Sequence, residues 1–195
     1  MSKLKTQFGA LLTLLLVISY SNTLVAQESK VILPESKLTV FGTSNLHDWE
    51  IEAKAMSGKA AFVIDGADLT AIKSLDFAVE VEQLKSGKSG MDENTFKALK
   101  SKTYKTINYK LVNVAKISET AAGSFVVETQ GDLTIAGVTK RINQTFTVKI
   151  VGKKAIFSGK TKIDMTVFEI KPPTALMGTI KTGKEVTIDF KVTYN

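Results

Sequence analysis

The chain has 195 residues, of which 44% are hydrophobic, and this is enough to bury one sizeable core. It has no cysteine and one histidine, so its composition excludes disulfides, zinc–thiolate sites and any metal centre built from several histidines. The formal net charge is +7, yet Arg141 is the only arginine. Because nucleic-acid-binding faces cluster their charge and use arginine, we expect a solvated basic surface and no nucleic-acid partner. The same charge favours transient contact with anionic membrane surfaces.

The N-terminal segment has the pattern of a secretory signal peptide. Lys3 and Lys5 precede an apolar run over residues 8–18, and a short polar-to-small segment ends at Ala26. The run is too short for a membrane-spanning helix, which needs about 20 residues. We therefore predict that residues 1–26 are a cleaved signal peptide and that residues 27–195 form one domain, periplasmic or secreted.

Most of the remaining chain alternates between apolar and polar residues, as half-buried β-strands do. The predicted strands cover residues 37–43, 49–55, 59–64, 75–82, 107–117, 124–135, 141–151, 155–165 and 186–194. A phase change near Leu111 and Val112 indicates a bulge. Eight or nine strands joined mostly by short turns favour an antiparallel up-and-down barrel, because closure removes unpaired strand edges.

One segment of the domain has the pattern of a helix instead. A loop rich in lysine, serine and glycine over residues 85–90 precedes Asp92, which suits a helix N-cap. Phe96 and Leu99 then fall on one face at helical spacing. The sequence therefore predicts an all-β domain with one short helix, over about residues 93–101, that covers part of the barrel.

The inward-facing positions of the predicted strands are large, apolar and almost uncharged. With Phe96 of the helix, we predict that the interior wall contains Trp49, Phe77, Val79, Phe96, Phe125, Val127, Leu133, Phe146 and Phe190. Two interpretations stay open, a filled core and a cavity for a long apolar ligand. The second is attractive energetically, since each buried methylene contributes about 0.8 kcal/mol.

The polar candidates are few. His47 beside Asp48 or Ser44 suggests a catalytic base with a partner, but adjacent strand positions point to opposite faces and no Gly-x-Ser-x-Gly elbow is present. We interpret His47, with Lys97 and Lys100 on the helix, as headgroup contacts at the barrel mouth. An apolar segment at 176–178, after two prolines, is predicted to lie on the rim or to act as a lid.

Three segments resemble the YceI-like family. They are Leu-His-Asp-Trp at 46–49, the helix running into Tyr-Lys-Thr-Ile-Asn-Tyr at 104–109, and Gly-Asp-Leu-Thr-Ile-Ala-Gly-Val-Thr-Lys at 131–140. The last of these is the most specific, and the resemblance covers about residues 30–194. It implies a lipocalin-like, eight-stranded antiparallel β-barrel that is exported to the periplasm. It also implies a polyisoprenoid or similar amphiphilic lipid inside the barrel.

Together these observations predict an exported, non-enzymatic protein that binds a long-chain isoprenoid or fatty lipid for carriage, storage or stress protection. No metal and no cofactor are expected apart from the bound lipid itself. Two alternatives are kept open: a lipid-modifying enzyme that uses His47, and a secreted structural or adhesion module with a solid core. The oligomeric state, monomer or dimer, is not determined by the sequence.

Overall fold

A computed structural model describes residues 27–195 of the chain, and the predicted signal peptide, residues 1–26, lies outside the described residues. The elements in chain order are β1 (Gln27–Lys30), β2 (Lys37–Ser44), β3 (Trp49–Ala53), β4 (Met56–Asp65), β5 (Asp68–Glu80), β6 (Leu84–Lys85), helix α1 (Ser89–Ala98), β7 (Thr106–Ala121), β8 (Ser124–Ile135), β9 (Val138–Val151), β10 (Lys154–Asp164), β11 (Thr174–Ala175) and β12 (Ile180–Tyr194). Short 3-10 turns lie at Leu33–Glu35, Val81–Gln83, Met165–Phe168 and Leu176–Gly178.

The strands form an antiparallel barrel that returns on itself. Pairing runs through β4, β5, β7, β8, β9, β10, β12, β2 and β3 in that order. β3 continues after two residues as β4, which joins the two ends of this path and leaves eight strand positions around the ring. The predicted all-β, antiparallel barrel class with one short helix is confirmed, and the strand count differs from the predicted eight, since the sheet has twelve strands of unequal length.

The first strand closes the barrel at its other end. β1 pairs with β4, and Lys30 also exchanges two backbone hydrogen bonds with Asn195, at 2.9 and 3.0 Å. β1 and β2 therefore act as one strand interrupted by the turn at Leu33–Glu35. The end of β12 thus pairs with the chain at Lys30 and Val31, and the other end of the pairing order is β6, a strand of two residues.

Two details of the predicted elements can be compared directly. The predicted bulge near Leu111 is confirmed, because the pairing of β7 with β8 shifts register between Leu111 and Asn113. The prediction that Asp92 is the helix N-cap is wrong, because α1 begins at Ser89. The Asp92 carboxylate instead accepts hydrogen bonds from the backbone N–H and the hydroxyl of Ser86, at 2.8 and 2.6 Å. This contact ties the first helical turn back to the preceding loop.

The antiparallel order places the connecting segments alternately at the two ends of the barrel. One end, called the mouth end, has residues 45–48, the helical segment 81–105, the turn 136–137 and the segment 165–179. The other, called the closed end, has the turns at 66–67, 122–123 and 152–153. This division decides where a ligand has access to the interior.

The closed half of the barrel is filled by packed aromatic rings. Phe157 is at the centre, with ring centroids 5.2 Å from Phe146, 5.2 Å from Tyr194 and 5.7 Å from Phe62. All four side chains are buried, and they pack in a continuous hydrophobic core with aliphatic residues such as Val127. Tilted and edge-on aromatic pairs of this kind stabilise a core beyond their buried area.

Candidate functional site

A cavity of about 170 Å³ lies in the barrel above this aromatic layer. Its volume exceeds that of several water molecules, each of which takes about 30 Å³ in the liquid. The barrel is therefore not solid, which argues against a module with a filled core. The lining residues are Leu38, Val40, Leu75, Phe77, Val79, Leu84, Ile107, Tyr109, Leu133, Ile135, Ile142, Gln144, Phe146, Phe157, Thr161, Ile163, Ile188, Phe190, Val192 and Tyr194.

The polar residues in this wall are satisfied by one another. The Thr161 hydroxyl donates to Gln144 Oε1, and Gln144 Nε2 donates to the Thr145 carbonyl at 2.8 Å. The Tyr109 hydroxyl is 3.1 Å from that of Thr129, whose hydroxyl donates to the Gln144 carbonyl at 2.8 Å. Because these groups are already paired, the cavity presents an almost wholly hydrocarbon surface to a ligand.

Burial also keeps the cavity uncharged. Desolvation raises the pKa of the Tyr109 hydroxyl, and the nearby Asp132 raises it further, while the bond to Thr129 opposes both. Desolvation likewise raises the pKa of the Tyr194 hydroxyl at the cavity floor. Both phenols therefore stay neutral at physiological pH, as an apolar site requires.

Five of the nine side chains predicted for the interior wall line the cavity: Phe77, Val79, Leu133, Phe146 and Phe190. Phe125 and Val127 are buried in the packed core of the closed half and are not among the residues that line the cavity. Phe96 lies on α1 outside the cavity wall, with its ring 4.9 Å from the Lys85 ammonium in a cation–π contact.

Trp49 has a structural role at the mouth end instead of a place on the cavity wall. Its ring lies directly over Gly42, where an added Cβ would be 2.1 Å from the ring, and its indole N–H donates to the Thr43 carbonyl at 3.0 Å. The ring also packs on the cluster that contains Leu38 and Ile51. Trp49 therefore fills the gap that the glycine leaves between β2 and β3.

The wall residues that sequence analysis missed are mainly aliphatic. Ile107, Ile135, Ile142, Ile163 and Ile188 all line the cavity. Their alternation with polar neighbours, near the ends of long strands, was the signal in the sequence. The prediction favoured large aromatic residues, and several of these lie in the packed half of the barrel.

Helix α1 packs at the mouth end of the barrel, and none of its residues is among those that line the cavity. Met91 and Leu99 pack on the cluster formed by β2, β3 and β5, and Ala98 and Leu99 pack on the opposite cluster of β8 and the 165–170 segment. Leu99 thus touches both walls. None of the residues of α1 is buried, so its contacts with the barrel are shallow.

The polar residues predicted for the mouth lie at this end of the barrel. Lys97 and Lys100 are exposed on and just after α1. His47 is exposed, and its Nδ1 donates to the Asp48 carbonyl at 2.7 Å, because a carbonyl can only accept. The Ser44 hydroxyl donates to the His47 backbone carbonyl at 2.7 Å. Asp48 therefore contacts the His47 ring through its backbone carbonyl, and the Ser44 hydroxyl contacts the backbone carbonyl of His47. These bonds stabilise the loop, and neither of them activates a nucleophile.

Comparison with known proteins identifies the family. The YceI-like domain profile matches residues 26–194, almost the whole of the described chain. The chain belongs to the YceI-like family. The resemblance found in the sequence motifs at 46–49, 104–109 and 131–140 is thereby confirmed.

Solved structures of similar fold include BcnA of Burkholderia cenocepacia, at 21% identity and a TM-score of 0.65, covering 84% of this chain and 98% of that one. A polyisoprenoid-binding domain from Saccharophagus degradans, described as implicated in plant cell wall breakdown, has 13% identity and a TM-score of 0.67, covering 87% and 98%. The YceI protein of Campylobacter jejuni has 22% identity and a TM-score of 0.55, covering 72% and 80%. At these identities the likeness is one of fold. No curated protein sequence matches this YceI-like chain.

Two further findings concern residues 27–195 alone. They contain no group of three or more histidine, cysteine or acidic side chains placed to hold a metal ion. Within the same range, α1 and the short turns are not long and apolar enough for any of them to cross a bilayer.

Proposed function

We propose that this protein is an exported, non-enzymatic carrier that holds a polyisoprenoid or similar long-chain amphiphilic lipid in its barrel. The observation that carries the proposal is the hydrocarbon-lined cavity inside the barrel, whose polar wall groups are paired with protein atoms. Such a wall favours an apolar chain over any polar metabolite, because a buried polar group of the ligand would find no free partner.

The proposed orientation follows from the division between the two ends. The apolar tail enters the hollow half and ends against the aromatic layer, while the headgroup stays at the mouth near His47, Lys97 and Lys100. The polyisoprenoid-binding relative supports this ligand class, since it has the same barrel. The export signal at residues 1–26 would deliver the protein to the periplasm or outside the cell.

The direct test is mass spectrometry of organic extracts from the purified protein. We expect a long-chain lipid to copurify, and Ile142→Trp, which places a larger side chain in the cavity, to remove it. Val112→Trp, at an exposed position of β7, is the matched control and should retain the lipid. Ile163→Phe is a milder cavity variant in case the first fails to fold.

A protein that is empty as purified, and stays empty when polyisoprenoids and fatty lipids are offered, would contradict the proposal. So would equal lipid content in the folded cavity variants and the Val112→Trp control.

A further inference from the structure

Three large apolar side chains at the mouth end project into solvent. We call Leu46, Leu176 and Met177 the tip surface. Leu46 is 65% exposed, Leu176 is 72% exposed and Met177 is fully exposed. The segment 176–178 therefore neither packs on the rim with these side chains nor lines the cavity beneath. Two adjacent large apolar side chains with this exposure, on a loop held in place by hydrogen bonds, require an explanation.

The tip is held in place by its own hairpin. β11 pairs with the start of β12, and the N–H of Thr182 donates to the Pro173 carbonyl at 3.1 Å. Leu176 and Met177 have φ values of +48° and +55°, in the left-handed region that non-glycine residues rarely adopt. The hairpin thus holds both residues in a backbone conformation that they rarely adopt, with their side chains exposed to solvent.

A second loop is fastened beside this hairpin. Asn45 Nδ2 donates to the Thr179 carbonyl at 2.9 Å, and Asn45 Oδ1 accepts from the Lys181 N–H at 2.8 Å. The Asn45 N–H also donates to the Lys181 carbonyl at 3.1 Å. These bonds bring Leu46, the next residue, to the same edge of the barrel as Leu176 and Met177.

The mouth end, which includes the tip surface, has more lysines than acidic residues. The segments at the mouth end (45–48, 81–105, 136–137 and 165–179) contain seven lysines and five acidic residues, and Lys181 and Lys184 follow at the start of β12. The three hairpin turns of the closed end have Lys153 as their only charged residue. The excess of positive charge is therefore placed on the end of the barrel that has the exposed apolar side chains.

We propose that the mouth end docks on an anionic phospholipid bilayer. Leu46, Leu176 and Met177 enter the boundary between headgroups and acyl chains, and the lysines stay at the level of the headgroups. Three separate exposed apolar side chains, at an end of the barrel with more lysines than acidic residues, suit a bilayer better than a protein partner. A protein partner would need a continuous, shape-complementary patch. The inference deepens the proposed function, on which its purpose rests, because a lipid leaving at this end would enter the bilayer without crossing water.

Cosedimentation with phosphatidylglycerol vesicles tests the docking. We expect Leu176→Ser with Met177→Ser to weaken vesicle binding about tenfold or more, since two apolar insertions are lost. The matched control is Val151→Ser, which removes an exposed apolar side chain near the closed end. All proteins carry the same N-terminus, so the difference between variants reports the mouth end alone.

Binding should also fall in phosphatidylcholine vesicles, in high salt and in Lys97→Gln with Lys100→Gln, while Lys153→Gln should leave it unchanged. The proposal is overturned if the tip variant, folded as judged by its urea midpoint, binds like Val151→Ser. It is also overturned if the tip substitutions change the oligomeric state and not vesicle binding, because the tip would then join copies of the chain. Ile142→Trp should dock normally, so a failure of lipid storage and a failure of docking are separable.

Discussion

At the scale of single residues, two glycines of the 131–140 motif are matched to two tyrosines of the 104–109 motif. A Cβ on Gly131 would lie 2.3 Å from the Tyr109 ring, and one on Gly137 would lie 2.4 Å from the Tyr104 ring. The two motifs that carry the family resemblance thus pack on each other, one supplying rings and the other the bare backbone beneath them. Gly137 also has a φ of +86°, in the turn between β8 and β9, whereas Gly131 has no such conformational requirement.

Gly131→Ala therefore isolates the packing contact. We expect it to lower the free energy of unfolding by about 1–3 kcal/mol, because the tyrosine ring must move away from the new methyl group. In a Tyr109→Ala background the same substitution should cost much less, which a double-mutant cycle by urea denaturation measures.

Gly90→Ala is the control for glycine replacement itself. Its Cβ would meet nothing within 4 Å and the residue is helical, so we expect a neutral or slightly stabilising effect. An equal loss of stability from Gly131→Ala with and without Tyr109 would contradict the packing explanation.

At the scale of elements, α1 is the most shallowly packed element of regular structure at the mouth end, since none of its residues is buried. Met91 and Ala98 of the helix and Leu99, the next residue, pack on the clusters at the mouth end, and Asp92 ties the first turn to the loop before it. The walls beneath are strands with continuous ladders of hydrogen bonds. A ligand that enters at the mouth end is therefore expected to displace the helix and not the sheet.

Asp92→Ala removes the acceptor of both Ser86 hydrogen bonds and should loosen α1 selectively. We expect amide hydrogen exchange in residues 89–98 to rise about 5- to 30-fold, the effect of one or two kcal/mol, with little change in the core strands. Release of bound lipid should become faster in parallel.

The neighbouring Glu93→Ala is a charge-matched control in the same turn, at an exposed position. Unchanged exchange in Asp92→Ala, or the same increase in both variants, would show that this contact does not hold the helix.

At the scale of the whole molecule, the barrel is divided into a packed half and a hollow half. The aromatic layer around Phe157 stabilises the closed end, whereas the side chains around the cavity lack contacts on one side. A lipid tail would supply those contacts. We therefore expect ligand removal to lower the stability of the whole protein, because the ligand binds only the folded chain.

Thermal unfolding of lipid-loaded and extracted protein measures this effect. A ligand at a hundred times its Kd should add about 2.7 kcal/mol to the free energy of unfolding. Ile142→Trp should gain little from added lipid, and Val112→Trp should gain as much as the parent. A melting temperature that is the same with and without lipid in the parent protein would contradict binding in the cavity.

The fold was more predictable from the sequence than the candidate site. The period-two alternation correctly indicated the antiparallel barrel, the bulge near Leu111 and the inward phase of residues such as Phe125. It also separated residues 49–55 from 59–64, and the structure likewise has two strands there, β3 and β4. The start of α1 was misplaced because Asp92 resembles an N-cap locally, and its partner Ser86 is identified only by the folded loop.

The sequence by itself determined the all-β class, the membership suggested by three motifs, and the face of the sheet on which each side chain lies. Only the tertiary structure decided how deep each inward residue is. Phe77 and Phe125 have the same phase, but one lines the cavity and the other is in the packed core. The physical reason is that alternation records only which side of a strand faces inward. The height along the barrel axis depends on register with neighbouring strands, and hence on pairings far apart in the chain.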